Sequence, residues 1–191
     1  MTDRGKAAGS RQVNWFRKED GFTLMELITV VIIIGFMVGI ATLELRSTNT
    51  TLSMRSAVEQ VKRSLVDAYS IAQHEKVLTT VFFYSNADAD ANKKNCYEVR
   101  RGNPGVSMKP PIGLRYNKVE AGGNTYYYVK MLDSGTEPRI SAAVTVIFKP
   151  MGSATKSVDG AGSPVSQTIT LTYTGQANRT LTVNSEGEVS P

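Results

Sequence analysis

From Phe22 to Leu43 the chain reads FTLMELITVVIIIGFMVGIATL, an apolar run whose one charge is Glu26. A helix over this stretch, rising about 1.5 Å per residue, reaches roughly 33 Å, enough to cross a hydrocarbon core of about 30 Å. A secretory signal has an apolar region of about 7 to 15 residues and a small-x-small cleavage site after it. The run here is longer and no such site follows, so the expectation is a membrane span. Past the span, Met54, Val58, Val61, Leu65, Ala68 and Ala72 recur in alternating steps of four and three, one stripe of an amphipathic helix. Arg55, Glu59, Lys62, Arg63 and Asp67 fall on the other face. With no proline or glycine from Ile40 to the mid-nineties, a single helix is predicted from Phe22 to about Lys76. Its first half is the anchor and its second half packs on a head.

The period then changes from helical to alternating. Residues 77–84 (VLTTVFFY), 95–101 (NCYEVRR), 125–132 (TYYYVKML), 140–149 (ISAAVTVIFK), 165–173 (VSQTITLTY) and 179–184 (RTLTVN) are β-branched and aromatic runs separated by turn residues. Ile169, Leu171 and Tyr173 alternate with Thr168, Thr170 and Thr172, the pattern of a strand with one buried face. The simplest arrangement is α+β, an antiparallel sheet covered by the helix stripe. Two polar connections interrupt the strands, 85–95 and 152–164. The second is long for an unstructured loop in a compact head and is expected to be a mobile or contact segment.

Charge and candidate chemistry narrow the function. The net charge is +5, but removing the five basic and three acidic residues of the leader, residues 1–21, lowers it to +3, too little to argue for nucleic acid. Lys93, Lys94, Arg100, Arg101 and Lys109 are read as solvated surface. From Met151 to Pro191, Lys156 and Arg179 stand against Asp159, Glu186 and Glu188, a net of −1. Five Lys or Arg precede the span, while Arg46 and Arg55 follow it, which places the leader in the cytoplasm and the head outside. Cys96 is the one cysteine and His74 the one histidine, so an intramolecular disulfide and multi-histidine metal sites are excluded. Cys96 is read as a half-buried strand residue and His74 as a surface helix residue. Asp88 and Asp90 lack the further oxygen ligands of a calcium loop. GAGSP at 160–164 lacks the third glycine and the strand-to-helix setting of a dinucleotide site. No enzymatic activity, cofactor or metal is expected.

A carboxylate inside a membrane-length run costs about 2.5 to 3.5 kcal/mol at the bilayer centre, so Glu26 needs headgroup water, the helix N-terminal dipole, or a partner. Its setting bears on the choice. Gly21-Phe22-Thr23-Leu24-Met25-Glu26, after a charged leader, resembles the processing site of type IV pilin-like prepilins. The resemblance implies cleavage between Gly21 and Phe22 by a prepilin peptidase and N-methylation of Phe22. It also implies an assembly role for Glu26, whose carboxylate would pair with the cationic Phe22 amine of its own or a neighbouring subunit. Gly35 and Gly39 form a G-x-x-x-G that suits close helix packing in a bilayer or simply reflects the abundance of glycine in membrane helices. Pilins of this kind often carry a proline soon after the comparable glycine, whereas this chain has none before Pro104.

At the other end, FKPMGSAT and RTLTVNSEGEV resemble the GspH/FimT branch of these families, with Phe148, Pro150, Gly152, Val183, Asn184 and Gly187 at the matching scaffold positions. The resemblance implies a pilin-like fold: a leader (1–21), a transmembrane half-helix (22–45), an amphipathic half-helix (46–76) and a periplasmic β-rich head (77–191). It further implies a minor pseudopilin of a type II secretion system or a minor subunit of a type IV pilus, single-pass in the inner membrane and filament-associated after processing. The implied partners are the prepilin peptidase, other pilins or pseudopilins and the inner-membrane assembly platform. The alternative is a FimT-like DNA receptor for natural transformation, which would require a basic head surface.

Overall fold

The structure, a computed structural model, describes residues 21–102, 105–131, 138–150, 157–158, 161–164 and 166–191. The leader up to residue 20, Gly152 and most of the 152–164 connection lie outside the described residues. Among the described residues one helix, α1 (Leu24–His74), precedes eleven strands. The chain divides into two compact units between Glu44 and Leu45.

In the first unit α1 is apolar all round. Leu24–Thr42 is long and apolar enough to span a membrane, with a mean hydropathy of 2.6 and none of it buried within the protein. Two of its threonine hydroxyls are satisfied within the helix. The Thr29 hydroxyl donates to the Met25 carbonyl and that of Thr42 to the Gly39 carbonyl, both at 2.8 Å. Hydroxyls returned to their own helix demand nothing from a hydrocarbon surrounding.

In the second unit α1 is amphipathic. Met54, Ala57, Val61, Leu65, Ala68 and Ala72 are buried in the core and Val58 packs against it, so the predicted stripe is the packing face. Opposite it are β1 (Thr79–Phe83), β2 (Cys96–Arg101), β3 (Val106–Ser107), β4 (Tyr116–Ala121), β5 (Asn124–Lys130), β6 (Arg139–Ile140), β7 (Val144–Phe148), β8 (Ser157–Val158), β9 (Gln167–Thr172), β10 (Arg179–Val183) and β11 (Val189–Ser190). They form two antiparallel sheets where the sequence pattern suggested one. The first runs β4-β5-β2-β1-β7-β8, with β3 on β2, and the second runs β11-β10-β9-β6. Val81 and Phe83 of β1, Tyr97 of β2, Val129 of β5, Val146 and Phe148 of β7, Ile169 and Leu171 of β9, and Leu181 and Val183 of β10 close on the helix stripe as one core. Alternation thus located each buried face but could not show that the buried faces belong to separate sheets.

Two further differences concern segments not read as strands. β4, with only Tyr116 and Val119 as strand-favouring side chains, reads as polar but is held by six cross-strand pairs to β5. Within 152–164, Ser157 and Val158 pair with Phe148 and Ile147 of β7, so that segment contains a strand. The 85–95 connection is a series of turns in which Asp88 Oδ1 accepts the Asp90 amide and Asp90 Oδ1 the Asn92 amide. These carboxylates serve turn geometry.

Candidate functional site

Gly21, Phe22 and Thr23 precede the helix and are exposed. Thr23 ends the extended stretch: its carbonyl accepts the amides of Glu26 and Leu27, and its hydroxyl accepts the Glu26 amide at 3.2 Å. Thr23 is therefore the N-cap and Glu26 stands at the third helical position, the T-x-x-E of a capping box. That four-residue signal was present in the sequence and passed over. Glu26 lies in the first turn, where the helix dipole favours a negative charge. The bond between Gly21 and Phe22 consequently lies in open backbone two residues before a capped apolar helix. Gly35 and Gly39 share one face of that helix, and no atom lies within 4 Å of where a Cβ would sit on either, so both leave room for a second backbone.

Two of the scaffold positions, Phe148 and Gly187, meet at a residue that the sequence analysis did not name. Phe148 is fully buried and meets Tyr69 of α1 edge-on, with ring centroids 5.7 Å apart. Gly187, at φ +80°, presses its backbone on the same tyrosine, where a Cβ would lie 2.7 Å from Tyr69 Cε2. Asn184 shapes that turn. Its Oδ1 accepts the amides of Glu186 and Glu188 at 3.0 and 2.9 Å, and its carbonyl accepts the Gly187 amide. Val183 is buried beside it and Pro150 is half-buried. Phe148, Asn184 and Gly187 are thus structural: they lock the last turn against α1, helped by Gln73 donating to the Lys149 carbonyl at 2.9 Å. The helical offset of Tyr69, four residues after Leu65, is the signal that could have found it.

The face of the first sheet turned away from α1 holds a second cluster. Glu98 is fully buried, accepts from Arg100 Nε at 2.9 Å and from a second Arg100 nitrogen at 3.1 Å, and accepts the Tyr84 hydroxyl at 3.0 Å. The Arg100 guanidinium is stacked between Phe82 and Tyr126, 4.7 and 5.2 Å from the ring centres. A buried carboxylate without these donors would cost several kcal/mol. Burial, then the Glu98 charge, pushes the Tyr84 hydroxyl far above the usual tyrosine range and Tyr128 up to about 12. Burial also lifts the Cys96 thiol to about 11, which leaves it an inert strand residue, fully buried where half burial was expected.

Of the basic residues weighed for DNA contact, Arg100 holds Glu98, Arg101 holds Glu75 and Lys93 holds Asp90. His74 is exposed at the last turn of α1. No group of three His, Cys, Asp or Glu side chains able to hold a metal occurs among the described residues. A cleft of about 1090 Å³ opens in the head between α1 and residues 108–114, floored by Tyr97, Val99 and Val129. Burial raises the Tyr97 hydroxyl to about 12, against the opposing pull of hydrogen bonds with Gln60 and Ser64. The lining of the cleft is mainly apolar, with Glu59, Lys62, Arg63 and Asp67 of α1 along one side.

Comparison of the chain with protein-family models, curated proteins and solved structures finds no match in any of the three. What stands is an α+β protein with one N-terminal helix able to span a membrane and an antiparallel β head.

Proposed function

We propose that the chain is a minor pilin-like subunit, cut by a prepilin peptidase between Gly21 and Phe22 and assembled into the pseudopilus of a type II secretion system or into a type IV pilus. One observation carries the reading: an exposed Gly21-Phe22 bond outside regular structure stands just before a capped helix whose membrane-length stretch, Leu24–Thr42, has Glu26 of its first turn as its one carboxylate. Glycine leaves the bond unobstructed at the membrane surface. Hydrolysis would leave the Gly21 carboxylate on the leader and a free amine on Phe22, the group to be methylated. That cationic amine and the Glu26 carboxylate, in apolar surroundings, form an ion pair whose disruption leaves a buried charge costing about 3 to 5 kcal/mol. Such a pair sets the register as subunits leave the inner membrane for a filament. The excess of Lys and Arg before the span supports a cytoplasmic leader and a periplasmic head.

Intact mass and N-terminal sequencing of the protein from membranes, with and without active prepilin peptidase, tests the reading. A peptidase-dependent start at methylated Phe22 is expected, and an uncleaved chain in both membranes overturns it. Glu26→Val should be processed normally yet fail to enter filaments, and normal incorporation would remove the assembly role from Glu26.

A further inference from the structure

The two sheets end in strands of very different length. Among the described residues β8, β11 and β6 have two residues each, whereas β4 has six. Among the described residues β4 pairs with β5 alone, through an unbroken register from Tyr116↔Val129 to Ala121↔Asn124, so no bulge blunts its outer edge. It carries no proline, and a long regular edge of this kind is open to a further strand. Gly122 and Gly123, at φ +59° and +78°, make the two-residue turn that joins β4 to β5. The pair closing such a turn exchanges both backbone hydrogen bonds. Ala121, Val119 and Asn117 therefore bond to β5, while Tyr116, Lys118 and Glu120 direct their N–H and C=O groups to the open edge.

We propose that this edge docks β4 of a second copy of the chain, antiparallel, about a twofold axis through Val119. Backbone alternation allows the axis to pass through Lys118, Val119 or Glu120. An axis through Lys118 sets lysine against lysine, and one through Glu120 sets glutamate against glutamate. The axis through Val119 sets Lys118 against Glu120 of the second copy, and Glu120 against its Lys118. Within one strand Lys118 Nζ already lies 2.7 Å from Glu120 Oε1, so the four charges alternate in sign around the axis. Opposite charges directly across an antiparallel pair attract and like charges repel, which leaves one favoured register. On the other face the two half-buried Val119 side chains meet, each beside Tyr126 of its own β5. The occupant is specified by charge: a strand must present lysine and glutamate two residues apart in the reverse order, and this strand does so for itself.

A twofold contact closes on itself, whereas a filament is built from head-to-tail contacts that do not close. If the chain is a pilin-like subunit, the paired form is a stored pool that must separate before assembly. That consequence rests on the function proposed above, and the pairing itself does not.

The test uses full-length protein in membranes lacking prepilin peptidase activity, so its outcome is independent of processing. Val119 would face its symmetry mate at a position without direct hydrogen bonds, where Cα atoms stand about 4.5 Å apart, within disulfide reach. Under mild oxidation Val119→Cys should form a covalent dimer at least about tenfold faster than Thr180→Cys, an exposed site on the other sheet. Adding Lys118→Glu should slow the crosslink about tenfold, and adding Glu120→Lys as well should restore it. Equal crosslinking at positions 119 and 180, or no recovery in the charge-swapped variant, overturns the proposal. All the substituted side chains are exposed or half-buried, and the native Cys96 is buried.

Discussion

Along the first stretch of α1, Ile28, Ile33 and Ile40 are 44, 51 and 62% exposed, while along the second Met54, Leu65 and Ala72 are 3% exposed or less. The helix is continuous in its backbone, so its local hydrogen bonding is the same in both stretches. The difference lies in what supplies the apolar surroundings. Met54 to Ala72 need one stripe because two sheets cover that stripe and water takes the rest. Leu24 to Thr42 are apolar on every side and have no protein cover, which is the composition of a helix whose solvent is itself apolar. Hydrophobicity alone does not say how a helix is used; its distribution around the axis does.

The sharpest test of that contrast makes one substitution in each stretch. Leu65→Ala removes a fully buried side chain and should cost about 2 to 5 kcal/mol of head stability. Leu27→Ala, at a 59% exposed site, should change it by less than about 0.5 kcal/mol. Denaturant unfolding of the detergent-solubilised chain, followed by tyrosine signals of the head, measures both, and equal losses would erase the distinction. The converse perturbation is a charge in the first stretch. Ile33→Arg should raise the cost of membrane insertion by about 2.5 to 3.5 kcal/mol and move protein out of the membrane fraction while the unfolding midpoint of the head stays put.

A smaller effect comes from pH. Tyr97 is raised from the ordinary 10.0 to about 12 by burial, so the folded head holds a proton there that the unfolded chain releases first. Its contribution, on the order of 2 kcal/mol, is complete below pH 10 and is lost as pH rises through about 12. Unfolding midpoints of the solubilised chain measured from pH 9 to 12 should therefore fall, and Tyr97→Phe should flatten the fall. An unchanged slope in that variant would assign the loss to other groups. The apolar stretch has no tyrosine, so its membrane insertion should hold across the same range.

Legibility in the sequence followed the range of the interaction. The stripe from Met54 to Ala72 and the alternation of Ile169 and Leu171 with threonine were readable because a residue and its neighbours two, three or four positions away share a face whatever the rest of the chain does. The cap at Thr23 is equally local, a T-x-x-E signal within four residues. β4 was not readable: Asn117, Lys118 and Glu120 are poor strand formers, and pairing with the Tyr-rich β5 overrides that preference. The packing of Gly187 on Tyr69 was signalled only on one side, by the helical offset of Tyr69 from Leu65, and the stacking of Arg100 on Phe82 and Tyr126 not at all, since these contacts join residues from separate elements.

By itself the sequence determined a membrane-length helix, a helix with one buried stripe and a run of half-buried strands, because each is a repeat in the chain that solvent reads directly. Only the tertiary structure decided that the strands divide into two sheets, that Tyr69 receives the C-terminal turn, that Glu98 is buried with its donors, and that β4 is left as the long open edge. Those outcomes depend on which distant segments meet, and that is settled by the fit of whole surfaces, for which no spacing along the chain is a measure.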